Sequence, residues 1–225
     1  MIPIGDEIKT RKFPFVNYAL ILINVVIFIW QIMNIRNIEA IFGEYALSPT
    51  QITSGLDLLD LRNVITSMFM HGSWVHLLGN MLYLWIFGDN VEDRLGHLGY
   101  LVFYLLGGMA ASAAHVALNL QSEIPIVGAS GAIAAVLGAY LVFYPRARVY
   151  TFIPIGFFAR LRLVPAIVVL GLWFLLQLFT GFMSLDQNLG EGGVAIWAHV
   201  GGFVFGLLVS LLFKRKKAPE YQRHW

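Results

Sequence analysis

A chain of 225 residues with 58% hydrophobic residues, 12% charged residues and a mean hydropathy of +0.72 is too apolar for a soluble domain and reads as an integral membrane protein. A formal net charge of +2, with the basic residues scattered between apolar runs, argues against nucleic acid as a partner. The absence of cysteine removes disulfides, thiolate metal sites and cysteine nucleophiles together.

Apolar runs of roughly 17–25 residues predict six spans, at 15–34, 75–91, 97–119, 129–145, 164–183 and 194–213. Residues 1–12 hold two acidic and three basic residues ahead of the first run, which therefore reads as a retained span and not a cleavable signal. The connection after it, about 36–74, is the longest. Phe42, Tyr45, Leu47, Leu56, Leu58, Leu59 and Met68 are mixed there with polar and turn residues, which predicts a compact structure lying partly in the outer interface. The second run is stopped by Asp89-Asn90-Val91-Glu92-Asp93-Arg94 and the fourth by Tyr144-Pro145-Arg146, so both are short. A helix of about 15 residues rises about 22 Å and cannot reach both faces of a roughly 30 Å hydrocarbon core. The connections near 120–128 and 184–193 contain no basic residue, and residues 214–225 form a short basic tail. The expected organisation is an all-α, six-span membrane domain over 1–213 followed by that tail.

Lys and Arg set the orientation, because cytoplasmic connections carry the excess. With the N-terminus inside, Lys9, Arg11, Lys12, Arg94, Arg146, Arg148, Arg160, Arg162, Lys214, Arg215, Lys216, Lys217 and Arg223 fall on the inner side, and Arg36 and Arg62 on the outer. Thirteen against two predicts that both termini are cytoplasmic.

Three polar fragments sit inside these apolar runs and need a reason. Ser130, in Gly128-Ala129-Ser130-Gly131, falls at the outer, N-terminal end of the fourth run, where unpaired backbone N–H groups and a partial positive charge suit a developing oxyanion. Close packing is the other reading of such a serine, and Gly131, Ala135 and Ala139 form a small-residue ridge at four-residue spacing. His199, in Ala198-His199-Val200-Gly201-Gly202, lies near the outer end of the sixth run, where an imidazole is costly and marks a functional or hydrogen-bonding site. Ala198, Gly202 and Gly206 make a second ridge, so two facing ridges would bring Ser130 and His199 together as nucleophile and general base. His76 and Asn80 are four apart on one helix face and can both donate hydrogen bonds. With the Ser130 N–H they would form an oxyanion hole. His71, just before that helix, reads first as a loop-fixing residue and second as a cavity lining.

Other chemistries fit less well. His71 and His76 are five apart, off a common face, and no His-Glu-x-x-His occurs, which argues against a zinc protease. Asp89 has no partner aspartate in a neighbouring span, and Ala132 breaks the hydrolase elbow pattern. No metal and no cofactor are expected. A transporter would need broken helices or intramembrane carboxylates, which the sequence lacks.

Gly128-x-Ser130-Gly131, His76 with Asn80, and Ala198-His199 followed by two glycines resemble the rhomboid family of intramembrane serine proteases, in its bacterial, six-span form. The resemblance covers nearly the whole chain. It implies a Ser130–His199 dyad, an oxyanion hole of His76, Asn80 and Ser130, and supporting roles for Gly128, Gly131 and His71. Gly202 and Gly206 would be structural, and Glu92 and Arg94 a structural pair at the inner end of the second span. It further implies a transmembrane protein substrate cut near the outer end of its helix in the bilayer, and a fifth span with Trp173 and Phe174 acting as a lateral gate. The competing reading is an inactive relative that binds membrane helices without cutting. The chain departs from many relatives in lacking a Trp-Arg pair in its first outer connection. Ala134 stands where some carry a ring over the catalytic histidine. Small size and short tails suggest a bacterial inner membrane.

Overall fold

A computed structural model of the protein describes residues 1–55, 57–155, 158–184 and 195–213. Leu56, much of the 184–193 connection and the 214–225 tail with its basic residues lie outside the described residues. Helices dominate: α1 (Phe15–Met33), α2 (Ile38–Tyr45), α3 (Pro49–Ser54), α4 (Leu58–Thr66), α5 (Trp74–Leu95), α6 (His97–Leu118), α7 (Ser130–Phe143), α8 (Ala166–Ser184) and α9 (Ile196–Leu212). By length and apolarity α1, α6 and most of α8 suffice to cross a bilayer, while α7 and α9 are shorter apolar helices.

α7 is the central element. All its residues except Ser130 and Leu141 are buried, as expected of a helix apolar on every side. The small-residue ridges explain how α9 reaches it: an added Cβ on Gly202 would run into the carbonyl oxygen of Gly131, and one on Gly206 into that of Ala135. α6 closes the third side, with Gly107 against Ala135 and Ala111 against Gly131. Gly206→Val is expected to cost about 1–3 kcal/mol, the usual range for overpacking. It is read as a lower thermal midpoint in detergent; an unchanged midpoint would contradict this backbone contact.

Two corrections concern the end of the bundle where α5 meets α6. α5 runs through the acidic cluster to Leu95, four residues beyond the expected 91. The cluster is not a stop, because its charges find partners: Glu92 accepts the backbone N–H groups of Val16 (3.0 Å) and Asn17 (2.7 Å), so it caps the first turn of α1. Glu92 also pairs with His97, and Asp93 with Arg11 at 3.2 Å. Glu92 and Arg94 are therefore not an ion pair with each other. The Arg94 guanidinium lies over the Phe143 ring instead, 5.4 Å from its centre.

The second correction is to the all-α expectation. The same end carries a three-stranded antiparallel sheet in the order β1 (Ile2–Asp6), β2 (Arg148–Ile155), β3 (Phe158–Pro165). Its signal is in the sequence. Arg148 to Phe152 alternates buried Val149 and Thr151 with exposed Tyr150 and Phe152, a period of two in β-branched and aromatic residues. β1 is fixed from below: Asp6 accepts hydrogen bonds from Tyr140 and from the Asn90 amide (3.0 Å). Burial pushes its carboxyl up to about 7, against those hydrogen bonds.

At the opposite end, the long connection after α1 folds into α2, α3 and α4. Leu47 pairs with Ile126 of the 119–129 connection, and the Thr50 N–H donates to Ser122 at 3.2 Å. Leu58 and Leu59 at the start of α4 are exposed, which fits a segment that meets lipid at the interface.

Candidate active site

The ridge contact between α7 and α9 carries Ser130, the first residue of α7, to His199 in the first turn of α9. Ser130 Oγ lies 2.7 Å from His199 Nε2. The other ring nitrogen, Nδ1, is 2.8 Å from Oε1 of Gln177 on α8. An amide oxygen can only accept, so Nδ1 carries the proton, and Nε2 presents its lone pair to the serine hydroxyl. This is the tautomer that a general base for Ser130 requires.

The Trp173 ring of α8 sits 5.8 Å from the imidazole, tilted by 37°. It supplies from α8 the aromatic neighbour that Ala134 of α7 cannot. Trp173 and Phe174 also pack on Phe203 of α9, the latter stacked at 4.4 Å.

Gly128 adopts φ +123°, which side chains other than glycine rarely tolerate. That conformation turns the chain into α7 and brings its backbone against α5. A Cβ on Gly128 would stand 2.6 Å from His76 Nε2 and 3.6 Å from Asn80 Nδ2. The two α5 side chains therefore point at one spot beside Ser130. Ser73 orients this face by capping α5, its hydroxyl accepting the His76 N–H at 3.1 Å.

His71 does more than the sequence indicated. Its backbone is held from both sides by Gln31 of α1, whose Oε1 accepts its N–H and whose Nε2 donates to its carbonyl, each at 3.1 Å. Its Nε2 accepts from Asn80 Nδ2 at 3.0 Å. Burial pushes the His71 ring down to about 4, so at neutral pH it is an uncharged acceptor. One amide hydrogen of Asn80 is thereby fixed, and the second is left for the cavity.

Sequence reasoning missed Gln177 and Gln31. The signal was present in both: each is an amide within an otherwise apolar run, the argument that singled out Asn80. Among the described residues no group of three or more metal-ligating side chains is assembled.

A family profile described as "Rhomboid domain" matches residues 59–216, well over half of the chain. The chain is 29% identical over 212 residues to "Rhomboid protein 1, mitochondrial" of Saccharomyces cerevisiae, covering 92% of this chain and 55% of that protein. It is 33% identical over 179 residues to "RHOMBOID-like protein 4" of Arabidopsis thaliana, covering 74% and 40%. It is 29% identical over 147 residues to "Presenilin-associated rhomboid-like protein A, mitochondrial" of Danio rerio, covering 64% and 35%. The chain thus spans between about a third and just over half of these curated relatives' length.

Proposed function

This chain belongs to the rhomboid family, a multi-pass membrane protein of that kind, and from that premise we propose that it is an intramembrane serine endopeptidase cutting transmembrane proteins within or beside the membrane helix. The observation that carries the reading is Ser130 Oγ at 2.7 Å from an imidazole whose far nitrogen is held in the base tautomer. Packing alone gives no reason for a buried Ser–His–amide relay in an apolar bundle.

In the proposed mechanism Ser130 attacks the scissile carbonyl while His199 takes its proton. The tetrahedral oxyanion is stabilised by the Ser130 N–H at the start of α7, by His76 and by the free N–H of Asn80. His199 then protonates the leaving amine, and water cleaves the acyl-enzyme. The carboxylate third member of a triad is replaced by the Gln177 amide. Asn80→Ala is expected to lower kcat by roughly 10²–10³-fold, the usual cost of one oxyanion donor, with little change in KM. A similar fall on His71→Ala would carry the same loss through the misaimed amide.

We further propose six spans with both termini inside. The supporting observations are that β1, the α5–α6 junction and the β2–β3 hairpin meet at one end, while the connections after α1 and after α6 meet at the other. The single membrane domain over 1–213 follows from the same reading. The bacterial inner membrane expected from small size and short tails gains no support from relatives whose names place them in mitochondria.

The test is cleavage of a single-span reporter with small residues at its outer juxtamembrane segment, by purified protein in liposomes. A product cut at or beside the span supports the endopeptidase. Reporter binding without any cut, across a panel of such segments, would favour the helix-binding alternative.

A further inference from the structure

α8 is held unevenly. At its inner end Ala166, Val169 and Leu170 are buried, and the Ala166 N–H donates to the Ala147 carbonyl at 2.8 Å. Toward the outer end Leu175, Leu176, Phe179 and Phe182 face outward, each at least 60% exposed. This half of α8 meets α9 through the close approach of Gly181 to Ile196 and Trp197, the aromatic contacts of Trp173 and Phe174 with Phe203 and of Phe182 with Trp197, and the bond from Gln177 to His199. The titratable groups that bear on His199 are His76 of α5 and His115 of α6; the group that fixes its ring comes from α8.

We propose that Gln177 is a positioning residue, setting the tautomer and aim of His199 through its amide oxygen, and that α8, by carrying this residue, makes the readiness of the base depend on its own packing. The inference rests on the Ser130–His199 reading above. With α8 against α9 the imidazole is primed. With its outer half displaced, Nδ1 loses its acceptor and the ring is free to turn and to change tautomer. Admission of a substrate past α8 and proton abstraction by His199 are then separate events, since the helix has to return before Ser130 is activated.

The test separates the base from substrate entry by using a small fluorophosphonate, which needs no room for a helix. The Ser130 oxygen forms a bond to phosphorus, fluoride leaves with the P–F electron pair, and His199 takes the hydroxyl proton. Gln177→Leu is expected to slow labelling by roughly 10–100-fold, the range for loss of a hydrogen bond to a group that becomes charged, and to lower reporter kcat with KM little changed. Gln177→Glu retains an acceptor and places a carboxylate on the forming imidazolium. Its acid limb of the labelling–pH profile moves upward by about one unit or more, and its plateau rate stays well above that of Gln177→Leu, whereas a residue that only packs would leave the two variants equally fast. Phe174→Ala, which loosens α8 while keeping the amide, slows labelling in the wild-type background and not in the Gln177→Leu background. Equal cost of Phe174→Ala in both backgrounds overturns the dependence on α8. Unchanged labelling by Gln177→Leu, or an unmoved profile in Gln177→Glu, overturns the positioning role while leaving the dyad intact. Should Gln177→Leu not fold, the Gln177→Glu profile decides alone. Wild type that is not labelled at Ser130 removes the dyad and this inference with it.

Discussion

Ser130→Ala and His199→Ala are each expected to lower reporter cleavage by roughly 10⁴–10⁶-fold, and the double variant to be no worse than either single one. The two side chains act through one shared proton across 2.7 Å. Once either is gone, the other has no partner and adds nothing. Ser130→Ala should leave the fold intact, because Ser130 sits at a helix terminus and contributes no backbone contact that alanine lacks, whereas His199→Ala also removes the bond to Gln177 and the ring contact with Trp173. The paired result is therefore a kinetic null in both, with an unchanged thermal midpoint for Ser130→Ala and a lowered one for His199→Ala. Additive losses would mean that the serine and the histidine serve different steps. Residual cleavage by Ser130→Ala at a tenth of the wild-type rate would exclude the serine mechanism.

Gly128→Ala is expected to lower cleavage by at least roughly 10²–10³-fold while leaving both dyad residues in place. The new methyl group would stand 2.6 Å from His76 Nε2, in the space toward which His76 and Asn80 point. That space is where the developing oxyanion would lie, so the methyl displaces it from its donors. The loss should reach roughly 10²–10³-fold from one donor and more if several are blocked. The backbone adds a second cost, since φ +123° at position 128 is strained for alanine by about 1–3 kcal/mol. The discriminating measurement is fluorophosphonate labelling beside cleavage. Both should fall, because phosphonylation also develops charge at that point. Full activity in Gly128→Ala would place the oxyanion elsewhere.

Much of this site was legible because membrane burial makes polar residues conspicuous. Ser130, His199, His76 and Asn80 stand out from an apolar background, and the four-residue ridges told which helices approach closely. The ridges meet as read, with Gly202 on Gly131 and Gly206 on Ala135. What the sequence hid was orientation. Gln177 is one amide in a run of Leu and Phe, and nothing in its spacing says which ring nitrogen it meets. His71 was read as a loop residue, and its backbone behaves so, but its side chain reaches the amide of Asn80. The sheet is hidden for another reason: Arg148, Arg160 and Arg162 speak only to the side of the membrane, and the two-residue alternation of Val149, Tyr150, Thr151 and Phe152 lies between apolar runs. By its charge the acidic cluster from Asp89 onward reads as a helix stop. In fact the helix continues, because Glu92 finds the free N–H groups of α1.

The sheet at the inner face carries an implication for how the molecule is made. β1 precedes every span, yet Ile2 pairs with Phe152 and Asp6 with Val149. At a synthesis rate of about 5–20 residues per second, the first strand waits on the order of ten seconds for its partner to exist. The Tyr140 and Asn90 side chains that grip Asp6 come late as well. The inner face therefore cannot be closed helix by helix as the chain inserts. It is completed only once β2 has followed α7, so the segment ahead of α1 is held by one made much later.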